Sequence, residues 1–121
     1  MSLNDNFLCF IKSDKTLIGG ISISNIQRGV IQTGNIGYWM GEKFASNGYM
    51  YESISTLLPY IFHQIKLNRI QAYTLEDNEA SRKLLEKLGF KQEGTLRKSM
   101  KIDNIWRDHI LYSKLYSDGY D

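Results

Sequence analysis

Residues 44–52 form a segment whose backbone could bind a phosphate group. A strand-like run at residues 36–41 precedes them, and a long helical pattern follows. When a strand leads through a loop directly into a helix, backbone N–H groups point outward and the helix dipole favours negative charge. Gly48 lies where the backbone would come closest to such a ligand, and a glycine permits that approach. The sequence therefore predicts an anion-binding turn at Gly48.

The helix that follows this turn is predicted at residues 48–65. Its apolar side chains recur every three or four residues and would face a sheet. They are Met50, Ile54, Leu57, Leu58, Ile61 and Ile65. Pro59 interrupts the pattern, because a proline inside a helix removes one backbone hydrogen bond and costs ~3 kcal/mol if uncompensated. The periodicity resumes at once, so we expect a kink at Pro59 rather than a break.

Six strands are predicted from runs of alternating and β-branched residues. They cover residues 7–12, 17–26, 36–40, 69–74, 93–102 and 106–115. The first two strands form a hairpin, and residues 27–35 form the loop that leads to the third. The last two strands are joined by Asp103-Asn104, a pair of residues that suits a tight hairpin turn.

A second helix lies between the fourth and fifth strands. Asp77 or Asn78 can cap its start, and Gly89 ends it in a left-handed conformation. Its inner face carries Ser81, Leu84, Leu85 and Leu88. The element order is therefore β-β-β-α-β-α-β-β, which predicts a mixed α/β or α+β domain with a mainly antiparallel, twisted sheet.

Size and composition exclude several classes of protein. A chain of 121 residues holds at most one domain, and a net charge of +2 gives no argument for a nucleic-acid or membrane partner. Cys9 is the single cysteine, and no group of Cys and His has metal-ligand spacing. No apolar run approaches the ~18 residues of a membrane span, and the first six residues lack the features of a signal peptide. We therefore expect a globular, cytoplasmic protein without a metal.

Seven short segments, taken in order, resemble the GNAT superfamily of acetyl-CoA-dependent N-acetyltransferases, in particular the ribosomal-protein-alanine (RimJ/RimL-type) branch. The segments are Ile36-Gly37-Tyr38-Trp39, Asn47-Gly48-Tyr49-Met50-Tyr51-Glu52, Asn68-Arg69-Ile70, Asp77-Asn78-Glu79-Ala80-Ser81, Leu85-Glu86-Lys87-Leu88-Gly89-Phe90, Glu93-Gly94 and Trp106-Arg107-Asp108. The resemblance runs from about residue 7 to residue 115. It implies a GNAT-like acyl-CoA N-acyltransferase fold, acetyl-CoA as co-substrate, and a protein N-terminus or a small amine as acceptor.

The resemblance gives the turn at Gly48 a specific ligand, the pyrophosphate of acetyl-CoA. The family's loop reads Gln/Arg-x-x-Gly-x-Gly/Ala, and on residues 45–50 it matches at Gly48, with Ala45 and Met50 at the other two positions. Because backbone N–H groups make the main contacts to a pyrophosphate in such a loop, we expect the loop to bind the cofactor despite these two changes.

The resemblance also implies contacts farther along the cofactor. The strand edge at residues 39–41 would pair with the pantetheine arm, and a backbone N–H near Met40 would stabilise the oxyanion. Asn78 could contact the pantetheine, cap its helix, or do both, since an amide has donors and an acceptor. The implied cofactor-binding residues are Trp39, Met40, Gly41, Ala45, Ser46, Asn47, Gly48, Tyr49, Met50 and Asn78.

Ser81 is the candidate catalytic residue. Many family members carry a tyrosine as general acid seven residues after the asparagine, and Leu85 occupies that position here. The Ser81 hydroxyl could lie near the departing thiolate instead, or it could be an ordinary polar group in a first helical turn. Tyr38 is interpreted as a wall of the core or groove, and His109 as a structural or surface residue more readily than as a base. No general base follows from the sequence, and a bound water could serve.

Family members usually carry a strand and two helices before the hairpin with which this chain begins, and those elements help to form the acceptor groove.

Three hypotheses remain open. The first, which we adopt, is an N-acetyltransferase in a single, N-terminally shortened domain at residues 1–121. The second is a degenerate relative that binds CoA without efficient turnover, as Ala45, Met50 and Leu85 indicate. The third is an interaction module, because a shortened sheet exposes an edge; on this ground we also predict a homodimer.

Overall fold

The computed structural model describes residues 7–13, 16–41 and 48–118. Eight main elements follow one another along this part of the chain. They are the strands and helices β1 (Phe7–Ser13), β2 (Thr16–Gln27), β3 (Thr33–Met40), α1 (Tyr49–Tyr60), β4 (Arg69–Leu75), α2 (Glu79–Lys87), β5 (Lys91–Ile102) and β6 (Ile105–Leu115). The predicted order of strands and helices is confirmed.

The six strands form one sheet in the order β1-β2-β3-β4-β6-β5. All neighbouring strands are antiparallel except β3 and β4, which are parallel. Parallel neighbours need a crossover connection, and α1 lies in the connection between β3 and β4. The mixed, mainly antiparallel sheet that the sequence predicts is confirmed.

β3 and β4 are paired over three residues and then separate. Their register runs from Thr33↔Arg69 to Asn35↔Gln71. Beyond these pairs, the described part of β3 is paired with β2 alone and the described part of β4 with β6 alone. β3 also begins earlier than residue 36, where the sequence prediction places it, because its first residues pair with a strand that is distant in sequence. The separation opens the sheet toward the carboxyl ends of both strands.

Pro59 lies inside α1, and the chain stays helical beyond it. After Tyr60 the helix changes to π-helical spacing over Ile61–Ile65 and ends at Lys66, whose φ is 62°. A proline cannot donate the regular i→i−4 bond, and π turns are one way in which a helix accommodates a local disturbance. The prediction that Pro59 does not break the helix is confirmed.

The core lies between the two helices and one face of the sheet. Its members from the helices include Met50, Ile54, Leu58 and Leu85, and those from the sheet include Ile21, Ile36, Ile70, Ala72, Ile110 and Tyr112. Since side chains alternate along a strand, the residues between these core positions face the opposite side of the sheet. The sheet therefore has a helix side and a far side.

Two turns have the left-handed backbone conformation that the sequence predicts. Asp103 and Asn104, with φ values of 52° and 64°, join β5 to β6 in the left-handed conformation that tight hairpins require. Gly89, with φ 89°, ends α2. There the N–H of Phe90 donates to the carbonyl of Leu85 at 2.9 Å, which closes the helix end in the usual way for a left-handed glycine.

Candidate functional site

A cavity of about 430 Å³ lies on the helix side of the sheet, where β3 and β4 separate. We call it the helix-side cavity. Its described wall consists of Ile36, Gly37, Tyr38, Trp39, Met40, Gly48, Met50, Tyr51, Tyr73, Asn78, Ala80, Ser81 and Leu84. The structure thus brings six of the predicted site residues to one space. These six are Trp39, Met40, Gly48, Met50, Asn78 and Ser81.

Gly48 forms the turn that opens α1 at the edge of this cavity. Its φ of 75° and ψ of 2° are left-handed, and no side chain caps the helix. A Cβ added here would meet nothing within 4 Å. Glycine is therefore favoured by the left-handed backbone conformation and not by crowding around the residue. The first helical bond runs from the N–H of Glu52 to the carbonyl of Gly48 at 3.1 Å. The predicted helix start is confirmed. The other residues of the predicted phosphate loop, Ala45, Ser46 and Asn47, lie outside the described residues.

α2 begins beside the same cavity and is capped by Asn78. The side-chain Oδ1 of Asn78 accepts a hydrogen bond from the backbone N–H of Ser81 at 3.2 Å. Of the two caps that the sequence allows, Asp77 and Asn78, the structure therefore uses Asn78. The cap uses the amide oxygen of Asn78, a residue of the cavity wall, and the amide NH₂ group remains a hydrogen-bond donor. Capping the helix and contacting a ligand are thus compatible.

Tyr38 and Ser81 form a hydroxyl pair across the cavity wall. Tyr38 Oη lies 2.6 Å from Ser81 Oγ, and either hydroxyl can donate. Burial raises the pKa of the Tyr38 phenol above its ordinary value of 10.0, while the hydrogen bond with Ser81 opposes that shift. At neutral pH the phenol is therefore protonated and can donate to Ser81. Tyr38 is a wall residue, as interpreted from the sequence, and its hydroxyl has a partner that the sequence did not indicate. Tyr38 is two residues from both Ile36 and Met40, so it lies with them on the helix side of β3. Only the packing of α2 on the sheet brings Ser81 to it.

Two predicted cofactor residues are not part of the cavity wall. Gly41 and Tyr49 are absent from its lining residues. The N–H of Gly41 instead donates to the carbonyl of Ile18 at 2.8 Å, which ties the end of β3 to β2. Leu85, at the position where many family members have a tyrosine acid, is 1% exposed and belongs to the core. That position therefore supplies no proton to the cavity.

A second cavity of about 450 Å³ lies at the same strand separation. Its described wall consists of Ser24, Asn35, Ile36, Gly37, Tyr73, Thr74, Leu75, Asn78, Met100 and His109. Asn35, Tyr73, Leu75 and His109 alternate with core residues and so lie on the far side of the sheet. We call it the far-side cavity. It shares Ile36, Gly37, Tyr73 and Asn78 with the helix-side cavity, so the two cavities adjoin where β3 and β4 part.

Within the ranges 7–13, 16–41 and 48–118, no three or more His, Cys, Asp or Glu side chains gather where they could hold a metal ion. None of the helices in these ranges combines the length and the apolar character that crossing a bilayer demands.

Comparison with known proteins relates this arrangement to a family. The sequence pattern described as "Acetyltransferase (GNAT) domain" matches residues 2–91. The chain is 40% identical over 113 residues to the probable N-acetyltransferase YjcK of Bacillus subtilis (strain 168), covering 93% of this chain and 62% of that protein. It is 34% identical over 105 residues to the ribosomal protein uS5-alanine N-acetyltransferase of Escherichia coli (strain K12), covering 87% of this chain and 54% of that protein.

A solved structure agrees with these sequence relatives. Mycobacterium smegmatis RimJ in complex with CoA-disulfide superposes with a TM-score of 0.90 at 28% identity, covering 93% of this chain and 54% of that chain. The chain thus spans between 54% and 62% of the length of these three proteins. Because the family pattern extends over most of the sequence and the fold agrees with it, the chain belongs to the acetyltransferase (GNAT) domain family.

Proposed function

We propose that this protein transfers the acetyl group of acetyl-CoA to an amine, and that the amine is the N-terminal α-amino group of a protein. The observation that carries the proposal is the helix-side cavity, where the Gly48 turn, the Asn78 cap and the Ser81 hydroxyl surround one space. The name of one relative, a ribosomal protein uS5-alanine N-acetyltransferase, favours a protein N-terminus over a small amine.

The cavity offers a suitable group for each part of acetyl-CoA. The N-terminus of α1 beside Gly48 suits the pyrophosphate, because N–H groups in a first helical turn have no acceptor within the helix. Ala45, Ser46 and Asn47 would complete that loop. Beyond Asn35, β3 has no strand partner on the β4 side among the described residues, so its backbone can pair with the pantetheine amides. The NH₂ group of Asn78 would support that arm.

The hydroxyl pair of Tyr38 and Ser81 would protonate the leaving thiolate. A neutral amine attacks the thioester carbonyl, the new C–N bond forms, and the carbonyl electron pair moves onto oxygen near a backbone N–H at Met40. The amine nitrogen, now positively charged, loses a proton to a bound water. When the carbonyl re-forms, the C–S bond breaks and CoA departs as a thiolate. Ser81 donates a hydrogen bond and then a proton to this sulfur, takes the Tyr38 proton in exchange, and the phenolate regains a proton from solvent. Tyr38, by donating to Ser81 Oγ, orients the serine hydroxyl and strengthens it as a donor.

A thiol-release assay tests the proposal. Acetyl-CoA is supplied together with a short peptide that begins with alanine, and free CoA is measured over time. The same peptide with an acetylated N-terminus is the control. We expect release with the free peptide and none with the blocked one. Equal release with both peptides, which is hydrolysis, or no release with either would contradict the proposal.

The burial of Leu85 supports a second candidate, a relative that binds CoA without efficient turnover. Since Leu85 is in the core, any acid chemistry depends on Ser81. The two candidates differ in one result. Both predict that acetyl-CoA binds, but only the enzyme releases thiol when the free peptide is added.

We also propose that the protein forms a homodimer through the β5–β6 hairpin. β5 is an edge strand of the sheet, and large apolar side chains near the hairpin tip are exposed, with Ile105 61% and Trp106 56% accessible. An exposed strand edge with apolar side chains favours pairing with a second copy. Light scattering of the wild type and of Trp106→Lys tests this. We expect a dimer and a monomer respectively, and a monomeric wild type would contradict the proposal.

A further inference from the structure

Another cavity, of about 390 Å³, lies at the end of the sheet where the pairing of β3 with β4 begins, opposite the end where these strands separate. We call it the Lys66 cavity. Three of its wall residues directly flank the strands, with Gln32 before β3, Asn68 before β4 and Tyr116 after β6. The N–H of Asn68 donates to the carbonyl of Gln32 at 2.9 Å, and the N–H of Tyr116 donates to the carbonyl of Asn68 at 3.0 Å. None of the described wall residues belongs to the helix-side or the far-side cavity, so this space is separate from the proposed cofactor site.

Three aromatic rings line the Lys66 cavity together. The ring centroids of Phe62 and Tyr116 lie 6.0 Å apart with an angle of 28° between the ring planes, and the His63 ring meets the Tyr116 ring edge-on at 5.7 Å. Phe62 is buried, whereas Tyr116 is 48% exposed. Aromatic rings prefer stacked and edge-on neighbours of this kind. The exposed Tyr116 ring therefore offers a surface on which another flat ring can stack.

Two polar side chains of the wall, Lys66 and Asn68, could bind an anion. The lysine ammonium has three N–H donors and the asparagine amide has two. Across residues 7–13, 16–41 and 48–118, neither side chain has a hydrogen-bond or ion-pair partner. The described wall contains no Asp or Glu. A carboxylate in the cavity would thus gain charge-assisted hydrogen bonds without displacing an acidic side chain.

The helix end at this cavity would by itself disfavour an anion. A helix C-terminus carries partial negative charge, and the helix ends at Lys66. Arg28 offsets this charge, since its Nη1 donates to the carbonyl of Ile65 at 2.7 Å and lies 3.4 Å from the carbonyl of Lys66. The carboxylate of Asp118, which follows the last strand, lies 3.8 Å from Lys91 Nζ and is paired with it. The local charge at the cavity therefore favours an anion.

The backbone at Lys66 does not account for a lysine at this position. Its φ of 62° and ψ of 47° are left-handed, and glycine is the usual residue at such a helix end. A residue with a Cβ is less suited to this conformation. The N–H of Lys66 donates to the carbonyl of Ile61, a bond that the N–H of a glycine would make equally well. What the lysine adds is an ammonium group at the cavity wall.

We propose that the Lys66 cavity is a binding site for a small carboxylate that carries a flat ring. The Lys66 ammonium and the Asn68 amide would hold the carboxylate, and the ring would stack on Tyr116. A volume of about 390 Å³ lies within the range of clefts that bind small molecules. The site is independent of the proposed acetyl transfer, because its described wall shares no residue with the helix-side cavity.

Titration of the wild-type protein with benzoate and with its uncharged analogue benzamide tests the inference. The backbone amide resonances are followed by nuclear magnetic resonance. We expect benzoate to cause saturable shifts at Lys66, Asn68 and Tyr116 and none at Gly48. Benzamide should bind about fivefold more weakly, because an exposed ion pair contributes on this scale. Equal affinity for the two compounds, no saturable shift, or shifts centred on Gly48 would overturn the inference.

Lys66→Gly removes the ammonium and keeps the backbone conformation, because glycine readily adopts a left-handed φ. Lys98→Gly is the matched control, since Lys98 also has a left-handed φ, of 47°, and lies outside the described walls of the three cavities. We expect the affinity for benzoate to fall about fivefold in Lys66→Gly and to stay unchanged in Lys98→Gly, with neither melting temperature lowered. An unchanged affinity in Lys66→Gly would overturn the inference. If that variant does not fold, the comparison of benzoate with benzamide in the wild type decides the question.

Discussion

Tyr38 Oη on β3 lies 2.6 Å from Ser81 Oγ on α2, so one hydrogen bond joins the two elements that enclose the helix-side cavity. This hydrogen bond lies where the sheet has opened. β3 has left its partner β4 at this point, and Ser81 is also held by the cap of its own helix. The cap holds the backbone of Ser81 and the bond to Tyr38 holds its hydroxyl, so the residue is positioned at two points.

Removing either hydroxyl should affect turnover more than binding. We expect Ser81→Ala to lower kcat about 100-fold, because the departing thiolate loses its proton donor. Tyr38→Phe should lower kcat about tenfold, in line with the loss of one hydrogen bond. In both variants the affinity for acetyl-CoA and the KM for the peptide should stay within threefold. Ser117→Ala, at an exposed position, is the control. A loss that appears in KM instead of kcat would argue against this assignment.

Gly48→Ala should weaken cofactor binding through the backbone. A left-handed φ of 75° costs an alanine ~1–2 kcal/mol, so the turn should rearrange and the affinity for acetyl-CoA should fall about tenfold. Gly94→Ala is a matched control, since a Cβ at Gly94 also meets open space but its φ is not positive. Calorimetry of both variants checks the prediction. Equal affinities in the two variants would show that the Gly48 conformation does not matter for binding.

Gly89→Ala should destabilise the fold without touching either cavity. The substitution strains a φ of 89° and places a Cβ 2.6 Å from Lys114 Nζ. That ammonium, buried with its residue at 5% exposure, donates to the carbonyl of Leu88 at 3.1 Å and would have to move. We expect a loss of about 2 kcal/mol in the free energy of unfolding, measured with urea. Gly94→Ala should change it far less, and similar losses in both would contradict the explanation.

Glu93 should make stability depend on pH in the acid range. Its carboxylate accepts hydrogen bonds from Arg69 at 2.9 and 2.5 Å and from Ser113 Oγ. These bonds, those from Arg69 above all, lower the pKa of Glu93 from 4.5 to about 2. A carboxyl whose pKa is lowered by folding stabilises the protein fully above pH 4.5 and loses this contribution as the pH falls toward 2.

The variant Glu93→Gln isolates this contribution. Because the Glu93 side chain is 37% exposed and solvent screens such pairs, we expect the variant to be only about 1 kcal/mol less stable at neutral pH. The difference should shrink as the pH is lowered through the range from 4.5 to 2. Urea unfolding at several pH values checks this, with the exposed Glu76→Gln as control. A difference that stays constant with pH would mean that the carboxylate charge is not responsible.

Local patterns were sufficient for most of the fold. Gly48, Asn78 and Gly89 have the conformations or caps that their residue types indicate, because such signals depend on a few neighbouring residues. The first residues of β3 did not follow from the sequence, because their order comes from pairing with β2 and with the first three residues of β4. The change to π-helical spacing at Ile61–Ile65 also did not follow from the sequence, because a helix can accommodate a proline in more than one way.

Only part of the site could be predicted, because only part of it depends on residues that are close in sequence. Asn78 and Ser81 are three residues apart at a helix start, so their proximity follows from local geometry. Tyr38 and Ser81 are far apart in sequence, and their hydrogen bond exists only once α2 packs on the sheet. The cavity that His109 lines combines residues from five strands and the start of α2, which no spacing rule can bring together.

Calorimetric titration of the purified protein with acetyl-CoA shows whether the helix-side cavity binds this cofactor. We expect saturable heat with one site per chain, together with a rise in melting temperature that grows with ligand concentration. Binding should weaken in Gly48→Ala and persist in Ser81→Ala. No heat and no thermal shift at millimolar acetyl-CoA would mean that the cavity does not bind acetyl-CoA.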